Sequence, residues 1–197
     1  MGMGEPLLNL NEVIKAYEWI NEHIGIGARS FTISTVGIPN GIRLLAERKL
    51  QLTLAVSLHA PDQELREQLV PSAKNFEMFR LLQDCRWYFN RTGRKITFEY
   101  ALLKGVNDSE KHAKKLAQKL LKNKLRTHIN LMLWNKVEGI DYERPDWATA
   151  VKFKEILEFY NFPTTIRKSR GLEKGAACGQ LSNEHQKRPL KDYVTLS

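Results

Sequence analysis

The sequence predicts an α/β fold built from parallel βαβ units, and three observations carry that prediction. Strand-like and helix-like stretches alternate four times, with strands near residues 31–35, 50–59, 95–103 and 128–134. The second stretch is almost continuously apolar: Leu52, Leu54, Val56 and Leu58 alternate with Thr53, Ala55 and Ser57. Such a strand is expected to be buried on both faces of a parallel sheet. Finally, Ser34, Ser57, His59 and Asn135 all fall at or just past strand C-terminal ends, where folds of this kind bind ligands. Four strands do not close a barrel.

The elements follow in chain order. Gly2-Met3-Gly4-Glu5-Pro6 is a Gly-rich turn that exposes backbone polar groups, with a carboxylate that can accept from an ammonium group. Such a turn normally follows a strand, and none precedes it here, which suggests a truncated domain. Asn9 or Asn11 is placed to cap a helix running to about residue 23, with Val13, Ile14, Tyr17, Ile20 and Ile24 on one face. Phe31 opens the first strand. Pro39 and Asn40 are expected to start the next helix. Asp62 caps a short helix after the second strand.

A longer helix over 76–90 repeats Met78, Leu82, Cys85 and Phe89 at helical spacing, which makes Cys85 a core residue rather than a ligand. Glu99 lies inside the third strand, either lumen-facing and functional or salt-bridged; the sequence leaves both open. Gly105 to Asp108 form a loop. Ser109 caps a helix whose other face carries Lys111, Lys114, Lys115, Lys119 and Lys122. Pro145 and Asp146 begin a helix to about residue 160, with Trp147, Val151, Ile156, Leu157 and Tyr160 as candidate packing residues. Residues 164–166 read as a short strand.

A lone Cys178 follows, in Gly171-Leu172-Glu173-Lys174-Gly175-Ala176-Ala177-Cys178-Gly179. Small neighbours let a large substrate approach the sulfur. Arg167, Lys168, Arg170 and Lys174 surround it with positive charge, which favours the thiolate. A reactive thiol and a small buried residue are both compatible with this stretch. A basic polar tail spans 182–197.

Composition narrows the functional classes. Charged residues make up 27% and hydrophobic residues 42%, which is ordinary for a globular domain. The net charge of +9 is unusual for an enzyme of small anionic metabolites and points to nucleic acid or another polyanion. Two cysteines indicate a reducing compartment without a disulfide framework. No apolar run reaches membrane-spanning length, and residues 1–6 lack the features of a signal peptide.

Five ordered motifs resemble the RlmN/Cfr family of radical S-adenosylmethionine (SAM) RNA methyltransferases. They are Gly2-Met3-Gly4-Glu5-Pro6-Leu7-Leu8-Asn9, Ser34-Thr35-Val36-Gly37, Ser57-Leu58-His59-Ala60, Ile129-Asn130-Leu131 with Trp134-Asn135, and Arg167-Lys168-Ser169-Arg170-Gly171 with Ala176-Ala177-Cys178-Gly179-Gln180-Leu181. The resemblance covers residues 1 to about 190, and the tail looks most like plant, algal or cyanobacterial members of the RlmN type. It implies a partial radical-SAM (β/α) barrel over 1–181, lacking its first strands and the N-terminal accessory domain. It also implies methylation of carbon 2 of adenine in 23S-type rRNA and in tRNA, by way of a methylated cysteine. Cys178 would be that methyl carrier. Gly4, Glu5, Ser34, Ser57, Leu58, His59 and Asn135 would contact S-adenosylmethionine, and Arg167, Lys168, Arg170 and Lys174 would meet RNA. The compartment implied is the cytoplasm, or the plastid stroma or another organelle for a plant or algal source.

The sequence departs from the family at one decisive point. The family binds a [4Fe-4S] cluster through a CxxxCxxC motif, and that motif and the second catalytic cysteine are absent. Two cysteines do not supply three thiolate ligands. Leu133 also replaces the proline of the family's Ile-Pro-Trp-Asn motif. The chain is therefore expected to be inactive alone and to need an N-terminal half, or another protein covering the open barrel edge. The competing expectation is a non-catalytic RNA-binding or assembly protein derived from this family. A SAM enzyme working without iron is disfavoured, because addition to an unactivated ring carbon needs the cofactor's radical chemistry.

Overall fold

The computed structural model describes residues 4–136 and 139–167. A 3₁₀ turn at Pro6–Asn9 leads into α1 (Leu10–Ile24), then β1 (Thr32–Thr35), α2 (Gly41–Glu47), β2 (Thr53–Ser57), α3 (Gln63–Leu69), α4 (Met78–Thr92), β3 (Ile96–Leu102), α5 (Glu110–Lys122), β4 (Thr127–Leu133), α6 (Trp147–Phe159) and β5 (Thr164–Arg167).

The strands form one fully parallel sheet in the order β1-β2-β3-β4-β5, which is their order in the sequence. Right-handed crossovers between successive neighbours place every connecting helix on the same face. The core has that arrangement. Ile33, Leu54, Val56, Ile96, Phe98, Tyr100, Ile129 and Leu131 point one way and join Ile42, Leu45, Leu81, Leu82, Leu116, Leu120, Phe153 and Leu157 of the helices in one cluster. The opposite face carries Ser34, Thr97 and His128 in one row, and Ser57, Glu99, Asn130 and Thr165 in the next. An apolar outer face and a polar inner face describe the wall of a (β/α) barrel.

Local chemistry sets the element ends. Asp62, Ser109 and Asp146 cap α3, α5 and α6 by accepting from the N–H of Leu65 (3.0 Å), His112 (3.3 Å) and Thr149 (2.6 Å). Each such cap contributes about 1 kcal/mol. Gly37 has φ +83, and a Cβ there would collide with the Leu81 side chain of α4. The left-handed backbone at β1's end therefore favours glycine, and any larger residue would also have to displace the Leu81 methyl.

Several expected boundaries shift. The second strand is Thr53–Ser57 rather than 50–59, because His59 turns into the left-handed region (φ 59) and ends the ladder. Asn40 is also left-handed (φ 63), so α2 starts at Gly41. Ile24 (58% exposed) and Trp147 (49%) are not core residues. The short strand expected over 164–166 is real and completes a fifth position by pairing with β4. Cys85 is fully buried on α4, as its spacing predicts. The expected boundary between residues 181 and 182 lies outside the described residues.

Candidate functional site

The polar residues picked out by sequence gather at one end of the sheet. Glu5 ties the N-terminal turn to β1. Its Oε1 accepts from the Leu7 N–H (3.0 Å) and the Thr35 hydroxyl (2.7 Å), and its Oε2 accepts from the Val36 N–H (2.9 Å). Thr35 Oγ1 accepts in turn from Gly37 N (2.9 Å). The carboxylate is thus a structural clamp as well as a candidate contact, and Oε2 retains acceptor capacity for an incoming donor. Gly4 beside it has φ +124, and a Cβ at that position would meet nothing within 4 Å among the described residues. No described residue crowds the turn on that side, and an L-residue would be strained there.

At the end of β2, the Leu58 and His59 N–H groups both donate to the carbonyl of Glu99 (3.0 and 3.3 Å). Leu58's side chain is buried in the core, so only its backbone faces the strand ends. His59 is held more tightly than sequence could show. The Ala101 N–H at the end of β3 donates to its Nδ1 (3.0 Å). That bond requires Nδ1 to be unprotonated and places the proton on Nε2. Burial, with the Arg66 guanidinium nearby, pulls the imidazole down to about 4, so it is neutral at neutral pH.

Two residues that sequence reasoning passed over organise this end. Asn107 is fully buried in the loop after β3. Its Nδ2 donates to the carbonyls of His59 (2.8 Å) and Ala101 (2.7 Å), and its Oδ1 accepts from Leu103 N (2.7 Å). An Asn near a Gly in a loop was the available signal, but a turn role explained it equally well. Arg66 on α3 is also fully buried. Its Nη2 donates to the carbonyls of Val36 (2.5 Å) and Ser57 (3.4 Å), joining the ends of β1 and β2. Among the described residues its Nε and Nη1 have no hydrogen-bond partner, and burial lowers the guanidinium to about 10. Its position on a short capped helix gave no hint of this, because arginines there are usually exposed.

Beyond β4, Asn135 is positioned by Arg144, whose Nη1 donates to its Oδ1 (2.7 Å). On the inner face, Glu99 Oε1 accepts from Asn130 Nδ2 (3.4 Å), and Arg167 Nη1 lies 3.7 Å from Oε2. Glu99 is therefore both lumen-facing and ion-paired. The structure thus places Glu5, Ser34, Ser57, His59, Asn135 and Arg167 at the C-terminal ends of β1, β2, β4 and β5. Cys178, Lys168, Arg170 and Lys174 lie outside the described residues.

The described donor set does not fit an iron–sulfur cluster. Cys85 is fully buried, and burial together with Asp84 raises its thiol far above the usual range, so it stays protonated. No group of three or more His, Cys, Asp or Glu side chains among the described residues could hold a metal ion. The turn and the strand-end polar groups offer hydrogen-bond donors and acceptors to a small polar ligand.

Comparison with known proteins agrees with this geometry. A probable dual-specificity RNA methyltransferase RlmN from Synechocystis sp. is 53% identical over 181 residues, covering 92% of this chain and 51% of the relative. A protein of the same description from Rippkaea orientalis is 54% identical, with 92% and 53% covered. Among solved structures, a radical SAM methyltransferase from Sphaerobacter thermophilus superimposes with a TM-score of 0.87 at 41% identity, over 91% of this chain and 53% of that one. A domain of pyruvate-formate lyase-activating enzyme from Bacteroides vulgatus, 19% identical with a TM-score of 0.65, shares the fold. No family model matches the chain.

The parallel sheet with its helices matches about half of a solved radical SAM methyltransferase, which places the fold as a portion of a radical SAM barrel. More particularly, the chain is homologous to the C-terminal part of the RlmN-type methyltransferases, and it spans about half the length of the curated relatives it matches.

Proposed function

We propose that this chain supplies the cofactor-binding strand ends and the methyl-carrying cysteine of an RNA methyltransferase acting on carbon 2 of adenine in rRNA and tRNA. The observation that supports it best is the gathering of Glu5, Ser34, Ser57, His59 and Asn135 at one end of a single parallel sheet, with Glu5 locked onto β1 through Thr35 and Val36. S-adenosylmethionine, when bound, supplies an electrophilic methyl group. The chain's own residues do the rest of the binding. The open Gly4-Glu5 turn receives the amino end, with Glu5 Oε2 as acceptor. Ser34 and Ser57 offer hydroxyls, and Asn135, fixed by Arg144, offers its amide. The neutral His59 presents an Nε2–H donor fixed by Ala101. Cys178 is the thiol on which methyl transfer depends, and Arg167, Lys168, Arg170 and Lys174 draw RNA towards it.

In this reading no residue of the chain holds the iron–sulfur cluster. The 197 residues are inactive on their own and work with an N-terminal half, which also covers the barrel edge beside β1. The net charge of +9 in a chain with only two cysteines favours, as the second reading, a non-catalytic RNA-binding or assembly protein. Complementation separates the two. The chain is co-expressed with an N-terminal half that carries the cluster motif, and methyladenosine in RNA is measured by mass spectrometry. Product is expected from the unsubstituted pair and from Cys85→Ala, and none from Cys178→Ala. No product from the unsubstituted pair refutes the catalytic reading in favour of the second. Product from Cys178→Ala overturns the role of that thiol.

A further inference from the structure

One side chain on the inner face is left incomplete by the described residues. Glu99 is 6% exposed, and among the described residues its Oε2 has no hydrogen-bond partner. A buried carboxylate oxygen in that condition forfeits its water without replacement. Its charge is nevertheless answered, because Arg167 Nη1 lies 3.7 Å away, too far for a hydrogen bond. The missing element is therefore a directed, neutral donor rather than a second cation.

The surroundings specify that donor further. Glu99 is the register partner of Ser57 on β2 and of Asn130 on β4, so the three side chains stand side by side on the same face. Strand spacing puts Glu99 about 4.8 Å from Ser57. Asn130 turns its Nδ2 to Glu99 Oε1 (3.4 Å), which leaves its Oδ1 facing His128 Nε2 (3.1 Å). His128 Nε2 also meets the Thr165 hydroxyl (3.0 Å). This network fixes the amide that steadies Glu99. An amide, an imidazole, hydroxyls and a guanidinium are not the donor set of a hard cation. A carboxylate only accepts, and a sugar hydroxyl is the donor that suits it.

We propose that Glu99 is a ligand-binding residue of the strand-end site, its Oε2 accepting a hydrogen bond from a ribose hydroxyl of a bound nucleoside. The inference rests on the functional reading above, in which both the cofactor and the RNA carry such a ribose. The chemistry is shared between those two sources, and the test distinguishes them.

The isotope-labelled 197-residue chain is titrated by NMR with S-adenosylhomocysteine and with its 2′-deoxy and 3′-deoxy analogues. In parallel it is titrated with an adenine-containing RNA oligonucleotide and its DNA counterpart. Expected is a preference of about tenfold or more for the ribo form of one ligand, lost in Glu99→Gln together with about the same factor in affinity. Response to S-adenosylhomocysteine assigns the cofactor ribose, and response to RNA assigns the substrate ribose. If S-adenosylhomocysteine binds, shifts the Ser57 and His59 signals and is indifferent to Glu99→Gln, and RNA is indifferent too, the inference fails while the site stands. If neither ligand binds saturably, both fail. Should Glu99→Gln not fold, equal affinity of the unsubstituted chain for the ribo and deoxy forms of both ligands overturns the proposal.

Discussion

The N–H of Ala101 on β3 donates to Nδ1 of His59 at 3.0 Å, while His59 sits at φ 59, outside the strand it follows. A bulky residue with positive φ is strained by about 1 kcal/mol or more. Here the strain is held by bonds on both sides of the residue. Its backbone carbonyl accepts from Asn107, and its ring accepts from the neighbouring strand.

The imidazole gives a pH signature. Its folded-state value, about 4, is depressed from 6.5. The neutral form is favoured in the fold, so the stability it contributes is fully present above pH 6.5 and is lost as pH falls towards 4. Over that window the unfolded chain binds a proton that the folded chain refuses. The loss amounts to about 3 kcal/mol. Urea unfolding at about pH 7 and about pH 4.5 should show it, and His59→Asn should reduce the pH slope by about one proton. An unchanged slope in that variant refutes the assignment.

Asn107→Ala should destabilise the chain by about 3 kcal/mol. It removes three buried bonds at once and leaves the Leu103 N–H and the His59 and Ala101 carbonyls short of a partner. Asn107→Asp should recover little, since a carboxylate keeps the acceptor but lacks both donors. Denaturation midpoints of the three proteins decide this. Near-equal midpoints for the unsubstituted chain and Asn107→Ala contradict the network.

Glu5→Gln tests the clamp. The amide keeps one acceptor oxygen but turns a donor towards either Val36 N or the Thr35 hydroxyl and Leu7 N. A loss of about 1–3 kcal/mol is expected, with weaker S-adenosylhomocysteine binding by calorimetry. Thr35→Val should reproduce part of the stability loss, because it removes only one of the three donors. Full stability in Glu5→Gln is the contrary result.

The two thiols should differ in reactivity. Cys85 is buried against Met78, Leu81 and Leu82 on α4, and its pKa is raised by that burial. Brief iodoacetamide treatment of the native chain at about pH 7.5, followed by peptide mass spectrometry, should find Cys178 alkylated well before Cys85. Denaturant should abolish the difference. Preferential labelling of Cys85 in the native chain contradicts its placement.

The sequence alone determined the parallel α/β class, the core position of Cys85, the caps at Asp62 and Ser109 and the helix start near Asp146. It also placed Ser34, Ser57, His59 and Asn135 near strand ends. These are local properties: side-chain period, capping chemistry and the position of polar residues after apolar runs all act within a few residues. The tertiary structure decided what depends on distant partners. Glu5 meets Thr35 thirty residues on, and His59 meets Ala101 across a strand boundary. Arg66 is buried at the junction of β1 and β2, although nothing in its helix distinguishes it from a solvated arginine. Glu99 was ambiguous for the same reason: alternation says which face a strand residue takes, but only the register of β2, β4 and β5 supplies the neighbours that decide what a carboxylate on that face can do.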